Sequence, residues 1–354
     1  MTFRYIGSKA RLVEQLAPII GPPTGNTFVD AFCGTGAVAE LAAQLGWDIC
    51  VNDNMNYATI ITAARLISID QVHYTNLGGY AKAIESLNSV NSQEGYIWKT
   101  YSPGSQQFIN FERKYFTEEN AQKIDGIRLL LHKWKKQELI SELEEILLLA
   151  DLLSAVNRIA NIAGTYGCFL SKWTQQSLNS IKLTPRKLKE NSTNIRTLSC
   201  DVFDLKVGSN DVVYLDPPYT KRQYASYYHL LETICLGDKP EVEGVCGLRP
   251  WQHKASEFCY KVRALKALTN LIEKLQANKI LLSYSSEGHI ELENLANKLS
   301  DLGNITIMPL GQIGRYRPNK QASSNANNVS EYLIVIDKHP VYAINQKSLE
   351  EITV

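Results

Sequence analysis

The chain has 354 residues, 44% hydrophobic and 21% charged, with a formal net charge of +1. These are the proportions of a soluble globular protein with room for one large domain or two modest ones. The near-neutral balance excludes an overall basic polyanion binder and leaves any field for nucleic acid to local patches.

In chain order, Ser8 to Ile20 reads as an amphipathic helix with Leu12, Leu16 and Ile19 on one face, broken by Gly21-Pro-Pro-Thr-Gly25. Thr27 to Phe32 reads as a buried strand, followed by the turn Cys33-Gly-Thr-Gly36 and a helix from Ala37 to Leu45. A second strand, Asp48 to Asp53, and a helix from Met55 to Ile69 complete the opening of a doubly wound α/β domain. From about 70 to 195 the pattern is mainly helical, with a long amphipathic stretch from Gln137 to Ile159 and polar, aromatic loop-like pieces such as Asn161 to Trp173. Strand patterns return at Thr197–Val202, Asp211–Leu215, Lys279–Ser285, Ile305–Leu310 and Tyr332–Ile336. Helices are expected at Tyr224–Cys235, Ser256–Gln276 and Ile290–Leu302, and a polar loop at Asn319–Ser330. The expected fold is therefore α/β, a Rossmann-like doubly wound mixed sheet formed by residues 1–69 and 196–354. A helical domain, 70–195, is inserted into it.

The longest apolar run, Ile146 to Leu153, is interrupted by Asp151 and is too short to cross a bilayer. The first residues lack the charged-then-apolar layout of an export signal. Seven scattered cysteines without a C-x-x-C pair argue against a disulfide framework and against a zinc site, so a cytoplasmic protein without a metal is expected.

Three motifs carry chemistry. In Asp30-Ala-Phe-Cys-Gly-Thr-Gly36, glycines just after a strand let a ligand approach the backbone at a helix N-terminus. The third glycine of the dinucleotide fingerprint and the lysine of a P-loop are both missing. Such a loop suits a ligand without phosphates, such as S-adenosylmethionine, and it also suits a plain strand–helix turn. Asp53 ends the next strand, where a carboxylate can accept ribose hydroxyls or cap the following helix. The strongest signal is Asp216-Pro-Pro-Tyr219 after the apolar strand Val212 to Leu215. Pro217 and Pro218 fix φ and remove two N–H donors, which aims a rigid carbonyl beside the Asp216 carboxylate. Two acceptors next to the flat face of Tyr219 describe a pocket for a planar ring bearing an amino group.

With these motifs in this order, nearly the whole chain resembles the Dam-like D12 class (α-group) of DNA adenine-N6 methyltransferases, which have the class I methyltransferase fold. Tyr5-Ile-Gly-Ser-Lys9 resembles the family's N-terminal Y-x-G-x-K motif. The resemblance implies that Tyr5, Gly7 and Lys9, the loop with Asp30, Phe32, Gly34 and Gly36, the ribose acid Asp53, and Asp201 with Val202 at the adenine end all bind S-adenosylmethionine. It implies too that Asp216 touches both cofactor and target base. The family usually has Asp-Phe where this chain has Asp201-Val202, with Phe203 one position later. Ser283-Tyr284 and Glu331-Tyr-Leu-Ile334 resemble the later S-Y and closing E-x-L-I motifs.

The resemblance further implies catalysis by Asp216, Pro217, Pro218 and Tyr219 on an adenine flipped out of duplex DNA. It makes residues 70–195 a target-recognition domain, with the family's recognition hairpin in the region of Asn157 to Trp173. Candidate DNA contacts are Lys221, Arg222, Tyr224, Arg158 and Tyr166. Basic clusters at Lys133–Lys136, Lys182, Arg186-Lys187 and Arg315–Lys320 are further candidates. Expected partners are double-stranded DNA and a separate cognate restriction endonuclease, with no membrane. Competing readings are adenine in RNA, another amino acceptor, or a DNA-binding module without activity.

Overall fold

The structure, a computed structural model, describes residues 3–7, 9–313 and 329–339. Its centre is a seven-stranded sheet of order β3-β2-β1-β4-β5-β7-β6. The strands are β1 (Thr27–Asp30), β2 (Asp48–Asn52), β3 (Ile195–Leu198), β4 (Val212–Leu215), β5 (Lys279–Ser285), β6 (Gly303–Ile313) and β7 (Val329–Lys338). The first five pair in parallel, and β7 lies antiparallel between β5 and β6. The chain leaves β1 toward β2 and β3 on one side, then returns to place β4 on the other. The switch point therefore falls between β1 and β4, where doubly wound sheets open a crevice at the carboxyl ends of their strands.

Strand alternation explains why both faces are covered. Phe28, Ile49, Val51, Val212 and Tyr214 pack on one face with α1 (Val13–Ile20) and α2 (Ala37–Gln44). Val29, Cys50, Val213, Leu215 and Ile280 pack on the other. Helices α11 (Lys261–Lys274) and α12 (Leu292–Ser300) cover that second face through Leu268, Leu271, Ile272, Leu295 and Leu299.

The helical stretch holds α4 (Tyr80–Asn88), α5 (Tyr96–Tyr101), α6 (Gln106–Ile109), α7 (Glu118–Lys136) and α8 (Glu142–Ile159). Its core is continuous with α3 (Asn56–Leu66), α9 (Tyr224–Tyr227) and α10 (His229–Leu236). Helix α8 is apolar almost all round, as a helix enclosed by others must be. The expected stretch from Gln137 to Ile159 is shorter in the structure. Ser141 and Glu144 form a capping box that starts α8, and three acidic residues occupy its first turn.

Residues 157–173, the region resembling a recognition hairpin, contain no strand among the described residues. Asn161 organises the loop instead. Its Nδ2 donates to the carbonyls of Lys114 (3.0 Å) and Leu170 (2.9 Å), and its Oδ1 accepts from the Thr174 amide. A correction concerns the cysteines: Cys168 in this loop is disulfide-bonded to Cys246, with Cα atoms 5.1 Å apart. The partners are 78 residues apart in sequence, and the fold, not any local spacing, brings them together. Residue 8, the cluster Arg315–Lys320 and the rest of the polar stretch up to Asn328 lie outside the described residues, whereas Val329 and Ser330 belong to β7. Among the described residues no helix is long and apolar enough to cross a membrane.

Candidate active site

A cavity of about 760 Å³ opens over the carboxyl ends of β1 and β4. Its walls include the N-terminal segment Phe3–Gly7 with Lys9, the turn after β1, Asn52–Met55 at the end of β2, Asp201–Phe203 after β3, and Asp216–Thr220 after β4. Sequence-distant motifs thus meet in one space.

The turn after β1 is held by backbone geometry. Gly34 and Gly36 have φ of +50° and +79°, in the left-handed region where a side chain is strained. A Cβ on Gly36 would come within 2.7 Å of the Thr62 side chain, and one on Gly34 within 3.2 Å of the Tyr5 ring. Both glycines are therefore required by their neighbours. The Gly34 amide donates to Asp53 Oδ2 (3.1 Å) and the Met55 amide to Asp53 Oδ1 (3.0 Å). Asp53 thus ties the β1 and β2 turns together, and its carboxylate still faces the cavity. Burial pushes its carboxyl up to about 6, against the pull of those two amides.

Asp30 is 2% exposed, and its Oδ1 has no hydrogen-bond partner in the protein. Burial first, then the charges of Asp216 and Asp53, push this carboxyl up to about 8. Asp30 lines the cavity, and a buried carboxylate oxygen without a partner is costly to keep ionised until a donor or a cation reaches it.

At the end of β4, Asp216 meets Lys9, with Lys9 Nζ 3.3 Å from Asp216 Oδ1 and 2.8 Å from Glu331 Oε2. Lys9 also donates to the Tyr219 hydroxyl (3.3 Å), and its Nζ lies 5.3 Å from the centroid of that ring. Burial opposes the Lys9 ammonium. Asp216 foremost, followed by Tyr219, Tyr214 and Glu331, nonetheless raises its pKa well above the usual lysine value. Burial pushes Asp216 up to about 6, with Lys9 resisting and Glu331 adding to the rise.

The other sequence-predicted residues divide. Tyr5, Gly7, Phe32, Val202, Pro217, Pro218 and Tyr219 line the cavity. Tyr5 stacks on Tyr228, with ring centroids 4.8 Å apart. Asp201 is exposed at the rim, and its Oδ1 accepts from the Phe203 amide. Phe203, where the family pattern places its aromatic one residue earlier, stacks on Phe258 at 5.7 Å. Phe258 in turn meets Phe32 edge-on. The displaced aromatic therefore still packs at this end of the cavity.

Arg222 and Tyr224 line the cavity, while Lys221 is exposed beside it. The Tyr224 hydroxyl donates to the Ile6 carbonyl at 3.1 Å. Arg158 is partly buried and donates to the Lys182 carbonyl (2.6 Å), away from the cavity. Tyr166 is 0% exposed. Its hydroxyl donates to Asn157 Oδ1 (3.1 Å) and its amide to the Tyr227 carbonyl (2.7 Å), so it occupies a packing position. Arg186 is engaged by Asp151 at 2.8 Å.

Several residues of the site are not evident from sequence. Glu331 was legible only as the start of a strand motif. Arg4 donates to the carbonyls of Asn157 and Ala160 at the end of α8. Glu232 accepts from the Asn56 and Tyr57 amides and pairs with Lys254 at 3.0 Å. Lys254 also donates to the Asn54 carbonyl at 2.7 Å, next to Asp53.

The model of the D12 class N6 adenine-specific DNA methyltransferase family matches residues 5–297, from the Tyr5 segment through α11 and β5 into α12. The chain belongs to this family. Within it, this D12-class chain is 35% identical over 99% of its length to the Type II methyltransferase M.FokI of Planomicrobium okeanokoites, covering 55% of that protein. It is 31% identical over 95% of its length to the modification methylase StsI of Streptococcus sanguinis, covering 52% of it. It is 30% identical over 94% of its length to the Type II methyltransferase M.NlaIII of Neisseria lactamica, covering 99%. The chain therefore spans about half the length of the first two relatives and nearly all of the third.

Proposed function

We propose that the chain transfers a methyl group from S-adenosylmethionine to the N6 amino group of a flipped adenine in duplex DNA. It would act in the cytoplasm as the modification enzyme of a restriction-modification system, alongside a separate endonuclease. The observation that carries this reading is the Asp216 carboxylate of Asp216-Pro-Pro-Tyr219, ion-paired to Lys9 in the same cavity as Asp30 and Asp53. The relatives' names, methyltransferases and modification methylases, support it.

The cavity fits the cofactor's chemistry. Asp30, with its partnerless Oδ1, suits an ammonium group, and Asp53 suits ribose hydroxyls. Asp201, Val202, Phe203 and Phe258 offer a carboxylate and apolar faces for an adenine ring. Tyr5, Gly7 and Lys9, with the Phe32–Thr35 part of the turn, close the remaining wall. When bound, S-adenosylmethionine supplies a methyl group made electrophilic by the positive charge on sulfur.

The protein's part is positioning and electrostatics. Asp216 and the Pro217 carbonyl accept hydrogen bonds from the amino group and favour localising its lone pair, which ring conjugation otherwise withdraws. Tyr219 offers a face for the extruded base, and Pro218 keeps the turn rigid. Extrusion costs a few kcal/mol, which contacts from the Lys221–Tyr224 segment offset. Residues 70–195 form the target-recognition part, with Arg158 and the basic clusters near the backbone. DNA binding then weakens steeply with salt.

The test is radiolabelled methyl transfer to unmethylated genomic DNA, comparing wild type with Asp216→Ala and ending in nucleoside analysis. The expected outcome is label in N6-methyladenosine from wild type, reduced at least about 100-fold in the variant. Label in RNA or protein instead, or cofactor binding with no transfer, defeats the proposal.

A further inference from the structure

Lys9 lies between two buried carboxylates, and the nearer one has no place in the scheme above. Glu331 is 6% exposed and lines the cavity. It stands in β7 opposite Ser285 of β5 and Gly311 of β6, beyond the register shift between Pro309 and Gly311. Both its oxygens face the site: Oε2 takes Lys9 at 2.8 Å, and Oε1 accepts from the Tyr219 hydroxyl at 3.4 Å.

We propose that Glu331 is a positioning residue of the transfer reaction, holding Lys9 back from Asp216 so that Asp216 stays open to the substrate's amino group. This rests on the function proposed above. A buried ammonium facing a single carboxylate donates fully to it and occupies the oxygens that must accept from the amino group. With Glu331 present, the shorter bond goes to Glu331 and the longer, 3.3 Å contact to Asp216. Two carboxylates and one ammonium leave one formal negative charge on this wall, as suits a site that must receive a cationic methyl donor. The other titratable groups facing the trio are Tyr214 of β4, Tyr219, Tyr224 of α9 and Asp30 at the end of β1, and Arg222 and Glu287 line the same cavity. No other lysine or arginine faces the Asp216 carboxylate as closely among the described residues.

The variants are Glu331→Gln, which keeps the shape and removes the charge, and Glu331→Asp, which keeps the charge. The two measurements are kcat for transfer to genomic DNA against pH, and acetylation of Lys9 by acetic anhydride against pH on the protein alone, read by mass spectrometry. In Glu331→Gln, Lys9 engages Asp216 fully. The kcat falls roughly tenfold or more, and its acid limb moves down by about one unit, because an ionised Asp216 is favoured. Lys9 becomes reactive at lower pH, since it has lost one of its two carboxylates. Glu331→Asp keeps the wild-type limb and recovers most of the rate.

An unmoved limb with unmoved Lys9 reactivity overturns the proposal, whatever happens to kcat, because a merely structural role predicts that pattern. If Glu331→Gln does not fold, Glu331→Met, which is about as long and also uncharged, takes its place with the same two measurements and the same deciding outcomes, and misfolding of both uncharged variants overturns the proposal. Failure of the functional reading is distinct: wild type then shows no transfer to DNA, while the Lys9 shift persists.

Discussion

Asp30→Asn tests whether the cavity floor is strained in favour of a ligand. The carboxyl has an ordinary value of 3.8 and is pushed up to about 8 in the folded protein. A raised pKa contributes stability that is full below 3.8 and is lost as pH rises through about 8. At pH 7 the unfolded chain is ionised and the folded one protonated. Folding then carries a penalty over 7 − 3.8 = 3.2 pH units, about 4 kcal/mol. Asparagine never ionises, but its buried amide leaves unmade hydrogen bonds worth about 1–3 kcal/mol. The expected net result is a variant about 1–3 kcal/mol more stable than wild type at pH 7 and no more stable at pH 4. Urea unfolding across pH 4 to 8 measures the difference.

The same variant should lose cofactor affinity. Wild type at pH 7 should release up to about one proton per cofactor as a cation settles beside Asp30, seen by titration calorimetry in buffers of differing ionisation enthalpy. A stability difference that does not change with pH, or unaltered cofactor binding in the variant, would refute the reasoning.

Two further outcomes follow from the geometry. Tyr166→Phe strands the buried Asn157 Oδ1 and should cost about 1–2 kcal/mol in urea unfolding without changing affinity for DNA; a selective loss of DNA affinity would return Tyr166 to the nucleic-acid surface. Reductant should destabilise wild type by about 2–4 kcal/mol by opening the loop closed between Cys168 and Cys246, and should leave Cys168→Ser unaffected.

The residues that were legible in sequence are those whose pattern is local. Phe28 and Val29 alternate between faces, the glycines after β1 mark a turn, and Asp216-Pro-Pro-Tyr219 follows a run of buried residues. The start of α8 was written in Ser141-x-x-Glu144 but was masked by an amphipathic pattern running through it. Tyr166 is ambiguous in sequence because tyrosine serves equally at an interface and in a core, and its contact with Asn157 is visible only in the fold. The Cys168–Cys246 pair, the grip of Lys254 and Glu232 on Asn54 and Asn56, and the second partner of Lys9 all join segments far apart in the chain. Local periodicity carries no information about such encounters.

The continuous helical core sets a limit on how this chain can be rearranged. Leu147 to Val156 of α8 share one packed interior with Ala58 and Ile61 of α3 and with Leu230 and Leu231 of α10. Residues 70–195 therefore cannot be exchanged between relatives as a cassette cut at the ends of the stretch. A graft made there would set foreign side chains against α3 and α10, and in an interior packed at crystal density each mismatched pair costs kilocalories. A transplant that is to keep its fold must carry α3 and α10 with it. Because α3 begins three residues after Asp53, and α10 ten residues after Tyr219, the graft would also replace the turns that carry Asp53 and Tyr219.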